Sequence, residues 1–286
     1  MPVLVAIDGS EASWAVLPHA NRFAQALGLP VSVVRVLNPL LDVGDEFGPS
    51  ISDAADSVAA RWDSEITERL KSRDITANTR VEIVGRKESI SDAIVRLGEE
   101  AGAEAIAMNS RGTGTIRHVF LGSTALAVLG KAGRPVLLTG PGIEPSMASD
   151  AYRAAITSDG SPAATAGVAA FAALFAGTSV EPILVGAYSR AIGDDEPMRE
   201  MGRARVHLEE LRAHFTDDVP LQTRIFECEG NESTSHAIVR GANELEASLI
   251  AMSTHGHSAL RRIVAGSTAM GVLKQSTLPV LLVPAE

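Results

Sequence analysis

The sequence predicts an α/β protein built as two tandem, five-stranded, doubly wound parallel domains. Three observations carry that prediction. A long internal repeat writes one domain twice, short apolar runs alternate with helical stripes in each copy, and 286 residues are enough for two halves of about 140 that each bury a core.

The repeat is clearest where Asn109-Ser110-Arg111-Gly112 is followed after nine residues by Gly122-Ser123. The same spacing recurs from Ser253-Thr254-His255-Gly256 to Gly266-Ser267, 144 positions further on. Ile106-Ala107-Met108 matches Ile250-Ala251-Met252, and Pro135-Val136-Leu137-Leu138 matches Pro279-Val280-Leu281-Leu282. Near the start of each half, Asp8-Gly9-Ser10 matches Asp159-Gly160-Ser161 at an offset of 151, so the second copy is seven residues shorter in between. The pattern places that loss within 37–56. A repeat this long marks two whole domains rather than a solenoid of short units. Residues 139–149 lack periodicity and are rich in Gly, Pro and Ser, which makes them a linker between domains at 1–143 and 150–286.

In the first copy, residues 3–7 are wholly apolar, as suits a strand buried on both faces. A helix over 13–27 follows, with Gly28 as its stop. Further strands are predicted over 31–37, 79–84, 103–108 and 135–139. Val58, Trp62, Ile66 and Leu70 recur every fourth residue as one helical stripe, and helices are also predicted over 89–100 and 123–129. The second copy repeats the order, with strands over 154–157, 182–187, 221–228, 248–252 and 279–283. Its helices are predicted over 163–176, 196–215, 233–244 and 267–273. Strands alternating with helices imply right-handed crossovers and a parallel sheet covered on both faces. The fifth strands then lie at sheet edges in a 3-2-1-4-5 order. In such sheets ligands bind beyond the carboxyl ends of the strands, at the switch point, where Asp8, Asp159, Asn109 and Ser253 all fall.

Charge and cysteine content narrow the function. The formal charge is −10, split as −4 in residues 1–145 (14 Lys+Arg, 18 Asp+Glu) and −6 in the rest (11 against 17). Neither half offers a net pull on nucleic acid or an anionic membrane, and no apolar run reaches the length of a membrane span. One cysteine, Cys228, excludes an internal disulfide framework and suits a reducing, cytoplasmic setting; no signal-peptide pattern is visible. Cys228 reads as a buried, inert thiol. His255 and His257 form His-x-His, but nothing at ligand spacing completes a metal set.

The glycine loops are candidate phosphate sites. Gly112 and Gly256 permit positive φ and close approach of a ligand to the backbone. Gly122-Ser123 and Gly266-Ser267 open helices, whose free N–H groups favour an anion, and the hydroxyls of Ser123, Thr124, Ser267 and Thr268 add donors. The same residues could instead make tight turns and cap helices. Asp8 and Asp159 can accept hydrogen bonds from ribose hydroxyls, or can make Asx turns. The Walker P-loop and the Gly-x-Ser-x-Gly elbow are absent, and no pair reads as a general base with its nucleophile.

At these residues the chain resembles a tandem universal stress protein, and the resemblance covers nearly its whole length. Nucleotide-binding members carry Gly-x2-Gly-x9-Gly-[Ser/Thr] after the fourth strand and Asp after the first. Asp8, Gly112, Gly122 and Ser123 match in one copy, and Asp159, Gly256, Gly266 and Ser267 in the other. The resemblance implies ATP as ligand, with Mg held through the phosphates, and an adenine pocket using Val36 and Met108 in one half, Gly186 and Met252 in the other. It also implies that the fifth strands meet about a pseudo-two-fold axis. The motif's first glycine is Asn109 here and Ser253 there, which weakens the site if positive φ or close approach is needed. Because the first copy keeps Val36 where the second offers Gly186, it is expected to bind better. The leading function is an ATP-binding stress-response regulator with an unidentified protein partner, in a homodimer of the tandem chain. The alternatives are an interaction protein with relic loops and a weak ATPase or phosphotransfer enzyme.

Overall fold

The computed structural model describes residues 1–42, 51–85, 87–110, 121–140, 143, 151–189, 197–254 and 266–284. The middles of both glycine loops, with Gly112, Gly256, Arg117, Arg261, His255 and His257, lie outside the described residues. The chain divides into two compact units: Met1–Gln25 with Leu29–Val136, and Ala26–Gly28 with Leu137–Glu286.

The first half runs β1 (Val3–Ile7), α1 (Glu11–Trp14), α2 (Val16–Leu27), β2 (Val31–Leu37), α3 (Pro39–Asp42), α4 (Ile51–Lys71), β3 (Ala77–Ile83), α5 (Ile90–Glu100), β4 (Ala105–Asn109), α6 (Ser123–Leu129) and β5 (Val136–Thr139). Its sheet order is β3-β2-β1-β4-β5, and the ladders from β1 to β2 and β4 and from β2 to β3 are parallel. β1 and β4 are buried at every position, as their unbroken apolar runs require of central strands covered on both faces. β3, at the edge, alternates between half-buried and exposed residues.

The second half runs β6 (Tyr152–Thr157), α7 (Pro162–Phe175), β7 (Val180–Ser189), α8 (Pro197–Leu211), β8 (Gln222–Cys228), α9 (Thr234–Glu244), β9 (Leu249–Ser253), α10 (Ser267–Gln275) and β10 (Val280–Val283). Its order, β8-β7-β6-β9-β10, is the same 3-2-1-4-5 arrangement. Val31 pairs with Ala77, and Ile183 with Gln222, separations of 46 and 39 residues. The seven residues missing from the second copy are therefore lost between its second and third strands.

Local chemistry explains where the helices differ from the pattern. One helix was expected over 13–27; the chain forms two, broken at Ala15. Pro18 has no N–H to give the Trp14 carbonyl and its ring crowds that oxygen, so the helix restarts there. Ser10, Ser89, Ser161 and Ser233 each cap a helix by accepting from the backbone N–H three residues on. In α7 the core face carries Val168, Phe171 and Phe175, with the two rings stacked at 6.1 Å.

Phe171 has no exposed surface. Phe171→Ala is expected to destabilise the second unit by about 3–5 kcal/mol, read as a lowered urea midpoint. A cost under about 1 kcal/mol would contradict this core assignment.

Candidate functional site

Each half places its first-strand aspartate in the same turn. Ser10 N–H donates to Asp8 Oδ1 at 2.9 Å, and Ser161 N–H donates to Asp159 Oδ1 at 3.0 Å. Gly9 (φ +86°) and Gly160 (φ +80°) take the left-handed conformation between them, and the serines then cap the following helices. The Asp-Gly-Ser sequence is thus an Asx turn, a left-handed link and an N-cap in succession. The turn holds each carboxylate at the carboxyl edge of its sheet. Burial works against ionisation of Asp8, but hydrogen bonds from Ser10 and Ser13 and the nearby Arg35 charge outweigh it and hold the carboxyl below its usual 3.8.

The bases of the glycine loops are closed in the same way twice. Gly122 N–H donates to the Ser110 carbonyl at 2.6 Å, and Gly266 N–H donates to the Thr254 carbonyl at 2.8 Å. Gly122 and Gly266 are the N-caps of α6 and α10, with no side-chain cap bond at either. Ser123, Thr124, Ser267 and Thr268 therefore sit inside the first turn rather than capping it. Both caps have ordinary extended dihedrals (φ −64° and −62°), so their glycines are not required by backbone strain.

The replaced glycines have structural answers. Among the described non-glycine residues only Asp74 and Glu246 have positive φ, so neither Asn109 nor Ser253 occupies a left-handed position. Asn109 is buried, and its Nδ2 donates to the Ala12 carbonyl at 2.7 Å, tying the end of β4 to α1. Ser253 packs its Cβ against α7 where Gly167 leaves room: a Cβ at Gly167 would come within 2.9 Å of it.

In the second half these elements enclose a cleft of about 440 Å³. Asp159, Ser267 and Thr268 line it together with the N-cap Gly266, as do the apolar Val185, Ala187 and Met252. Six of the expected second-copy residues, Asp159, Met252, Ser253, Gly266, Ser267 and Thr268, line this one cleft. In the first half Asp8, Val36, Met108 and Asn109 stand at or near the carboxyl ends of β1, β2 and β4, with Gly122 opening α6.

Gly186 is the exception, and strand register explains it. Val3 pairs with Val31 and Ala105, and Ala154 pairs with Pro182 and Leu249. Val36 therefore corresponds to Ala187, and Gly186 to Arg35. A side chain on Gly186 would point at Leu208 Cδ1, 3.1 Å away on α8, whereas Ala187 lines the cleft. A slip of one residue exchanges the faces of a strand. The reason for ranking the first copy above the second thus disappears, because Ala187 supplies the apolar wall that Gly186 does not. In the first half Arg35 folds back instead, stacking on Trp62 at 3.4 Å, pairing with Glu65 at 3.4 Å and lying over Gly9.

A model of the Universal stress protein family matches residues 1–140 and 154–284. The chain belongs to the universal stress protein family. A universal stress protein of Mycolicibacterium smegmatis is 23% identical over 299 aligned residues, covering 98% of this chain and 96% of that protein. A single-domain-length universal stress protein of Thermus aquaticus is 29% identical over 136 residues, covering 48% of this chain and 96% of its own length. The crystal structure of a universal stress protein from Archaeoglobus fulgidus superposes with a TM-score of 0.71 at 21% identity, over 100% of this chain and 98% of that one. That likeness establishes the tandem α/β fold. No helix among the described residues is long and apolar enough to cross a membrane.

One residue pair escaped the sequence pattern. Ser158 lines the cleft, and its Oγ lies 2.9 Å from His207 Nε2. The two are 49 positions apart, and the first copy has Ile7 where the second has Ser158, so the repeat carries no sign of the pair.

Two predictions follow from the site. Gly167→Ala should destabilise the second unit, although Ala is the better helix former by about 1 kcal/mol. Ser253→Gly in the same chain should restore the gain, and denaturant titration of the double-mutant cycle measures the coupling. Additive effects would remove the contact from the argument. For Asp8, the depressed carboxyl contributes stability that is present above its unfolded value of 3.8 and is lost as pH falls through the folded one. The stability gap between the natural chain and Asp8→Asn should be flat above about pH 5 and close below about pH 4. A gap that widens on acidification would reverse the sign of the effect.

Proposed function

We propose that this universal stress protein binds ATP in the second-half cleft and acts as a nucleotide-responsive regulator in the stress response. The supporting observation is the division of one cleft into two chemistries. Val185, Ala187, Ile238 and Met252 offer an apolar wall to a base, and Asp159 stands where ribose hydroxyls would be accepted. The amino end of α10, with Ser267 and Thr268, offers donors to a phosphate chain. The residues present fit the group, and Mg would be held through the phosphates.

The first half is proposed as a second nucleotide site of different character, built on Asp8, Val36, Met108, Asn109, Gly122, Ser123 and Thr124, with Arg35 lying beside Asp8. Nucleotide entering a cleft lined by Gly266, whose N–H is tied to Thr254, would present a changed surface to a protein partner. The same proposal includes a homodimer of the tandem chain and a cytoplasmic location. Cys228 is buried and burial pushes its thiol up, so it carries no redox function in this scheme.

Denaturing the purified protein should release an adenine nucleotide, and calorimetry with ATP and Mg should give a saturable isotherm. Ala187→Phe, which fills the apolar wall, is expected to weaken ATP binding at least ~10-fold, and Thr268→Ala less. Absence of binding at millimolar ATP would favour an interaction protein with relic loops. Binding untouched by Ala187→Phe would move the nucleotide out of this cleft.

A further inference from the structure

We propose that the second-half cleft carries a Ser158–His207 pair able to cleave short-chain carboxylic esters through an acyl-serine intermediate. The proposal rests on geometry that the duplicated pattern does not supply. Ser158 is half-buried at the carboxyl end of β6, on the lining of the cleft. Its Oγ lies 2.9 Å from His207 Nε2, which α8 brings in from the other side of the turn. The Gly160 N–H donates to the same Oγ at 3.3 Å, and in the tautomer that carries the ring proton on Nδ1 the serine hydroxyl donates to His207 Nε2. A hydroxyl with its lone pair held by a backbone amide and its proton aimed at a histidine has the arrangement of an activated nucleophile and its base.

The surroundings suit an acyl substrate. Ala164, Val185, Ala187, Ile238 and Met252 give the cleft an apolar wall against which a short acyl chain can bury. Gly266 opens α10 on the same lining without a side-chain cap bond, and the amino end of a helix favours negative charge such as develops on a carbonyl oxygen. The first half lacks the nucleophile: Ile7 stands in place of the serine and is buried in β1.

The steps balance without any cofactor. Ser158 Oγ attacks the ester carbonyl carbon, forming an Oγ–C bond while His207 Nε2 takes the hydroxyl proton. The bond from carbon to the alkoxy group breaks, and that group leaves as an alcohol with the proton from Nε2. Water then attacks the acyl-serine, giving its proton to Nε2, and the carboxylic acid departs as Ser158 regains its hydrogen.

The test uses the full chain and p-nitrophenyl acetate. The natural protein should release a burst of p-nitrophenolate matched by the gain of one acetyl group in the intact mass, mapped by peptide sequencing to Ser158. Ser158→Ala should abolish the burst, and His207→Ala should slow it at least ~100-fold with partial recovery on adding free imidazole. Met201→Gln, on the exposed face of α8, should leave it unchanged. Acetylation of other residues at the same rate in Ser158→Ala, or no acetyl adduct on the natural protein, would overturn the proposal. Should Ser158→Ala fail to fold, the position of the adduct on the natural protein decides: Ser158 supports the dyad, and any other residue or none refutes it. ATP binding is not part of this scheme, so a chain that binds ATP without acylating, or acylates without binding ATP, separates the two readings.

Discussion

The parallel ladder around the first strand of each half is the constraint on which the rest of the structure depends. β6 is paired on both sides, with Ala154 opposite Pro182 on one neighbour and Leu249 on the other. Once that register is set, side-chain alternation decides which residues of β7 look into the cleft and which look at a covering helix. Val185 and Ala187 face the cleft, and Gly186 faces Leu208. The carboxyl ends of β6 and β9 then stand side by side, and the turns that leave them have no choice but to meet. The placement of Asp159 beside Met252 and Ser253 is a consequence of the ladder, and no contact among the three is needed to produce it.

Helix starts supply the second half of the geometry. At the Asp-Gly-Ser turns a side chain caps the helix, whereas at Gly122 and Gly266 no side chain does. The difference has a physical use. A capped amino terminus has spent a donor on its own serine, while a glycine-capped one keeps its first-turn N–H groups for an acceptor that arrives from outside. The backbone bonds from Gly122 to Ser110 and from Gly266 to Thr254 fix where those open termini stand, because each ties the helix start to the end of the fourth strand. Eleven residues, 111–121 in one half and 255–265 in the other, separate the anchored points, and the nine-residue spacing from Gly112 and Gly256 lies within them.

The fold was legible because it is written in periodicities. Unbroken apolar runs marked β1 and β4, a four-residue stripe marked α4, and the repeat confirmed each element by its copy. Boundaries governed by local chemistry were harder, as Pro18 shows by splitting one expected helix in two. Within the site, residues carried by the duplicated motif were readable, and six of them share the second cleft. Gly186 and Ala187 are neighbours in one apolar run, and which of them faces the cleft is fixed by hydrogen-bonded register, which the sequence does not carry. Ser158 and His207 were unreadable for a different reason. Their partnership joins residues 49 apart, and it exists in one copy only.

That asymmetry bears on what duplication does to a site. The two halves share a backbone, so identical turns present whatever side chains the sequence supplies at matching positions. In one half those positions hold Ile7 and Arg35; in the other, Ser158 and Gly186. Arg35 crosses over Gly9 and is held there by Trp62 and Glu65, which puts a fixed cation beside Asp8. Gly186 frees the corresponding face for Leu208, and α8 packed there carries His207 one residue earlier, within reach of Ser158. A single exchange on the second strand, arginine for glycine, therefore changes which helix residue can approach the first turn. The chemistry of each cleft edge is set from the covered face of the sheet, one strand away from the residues that line it.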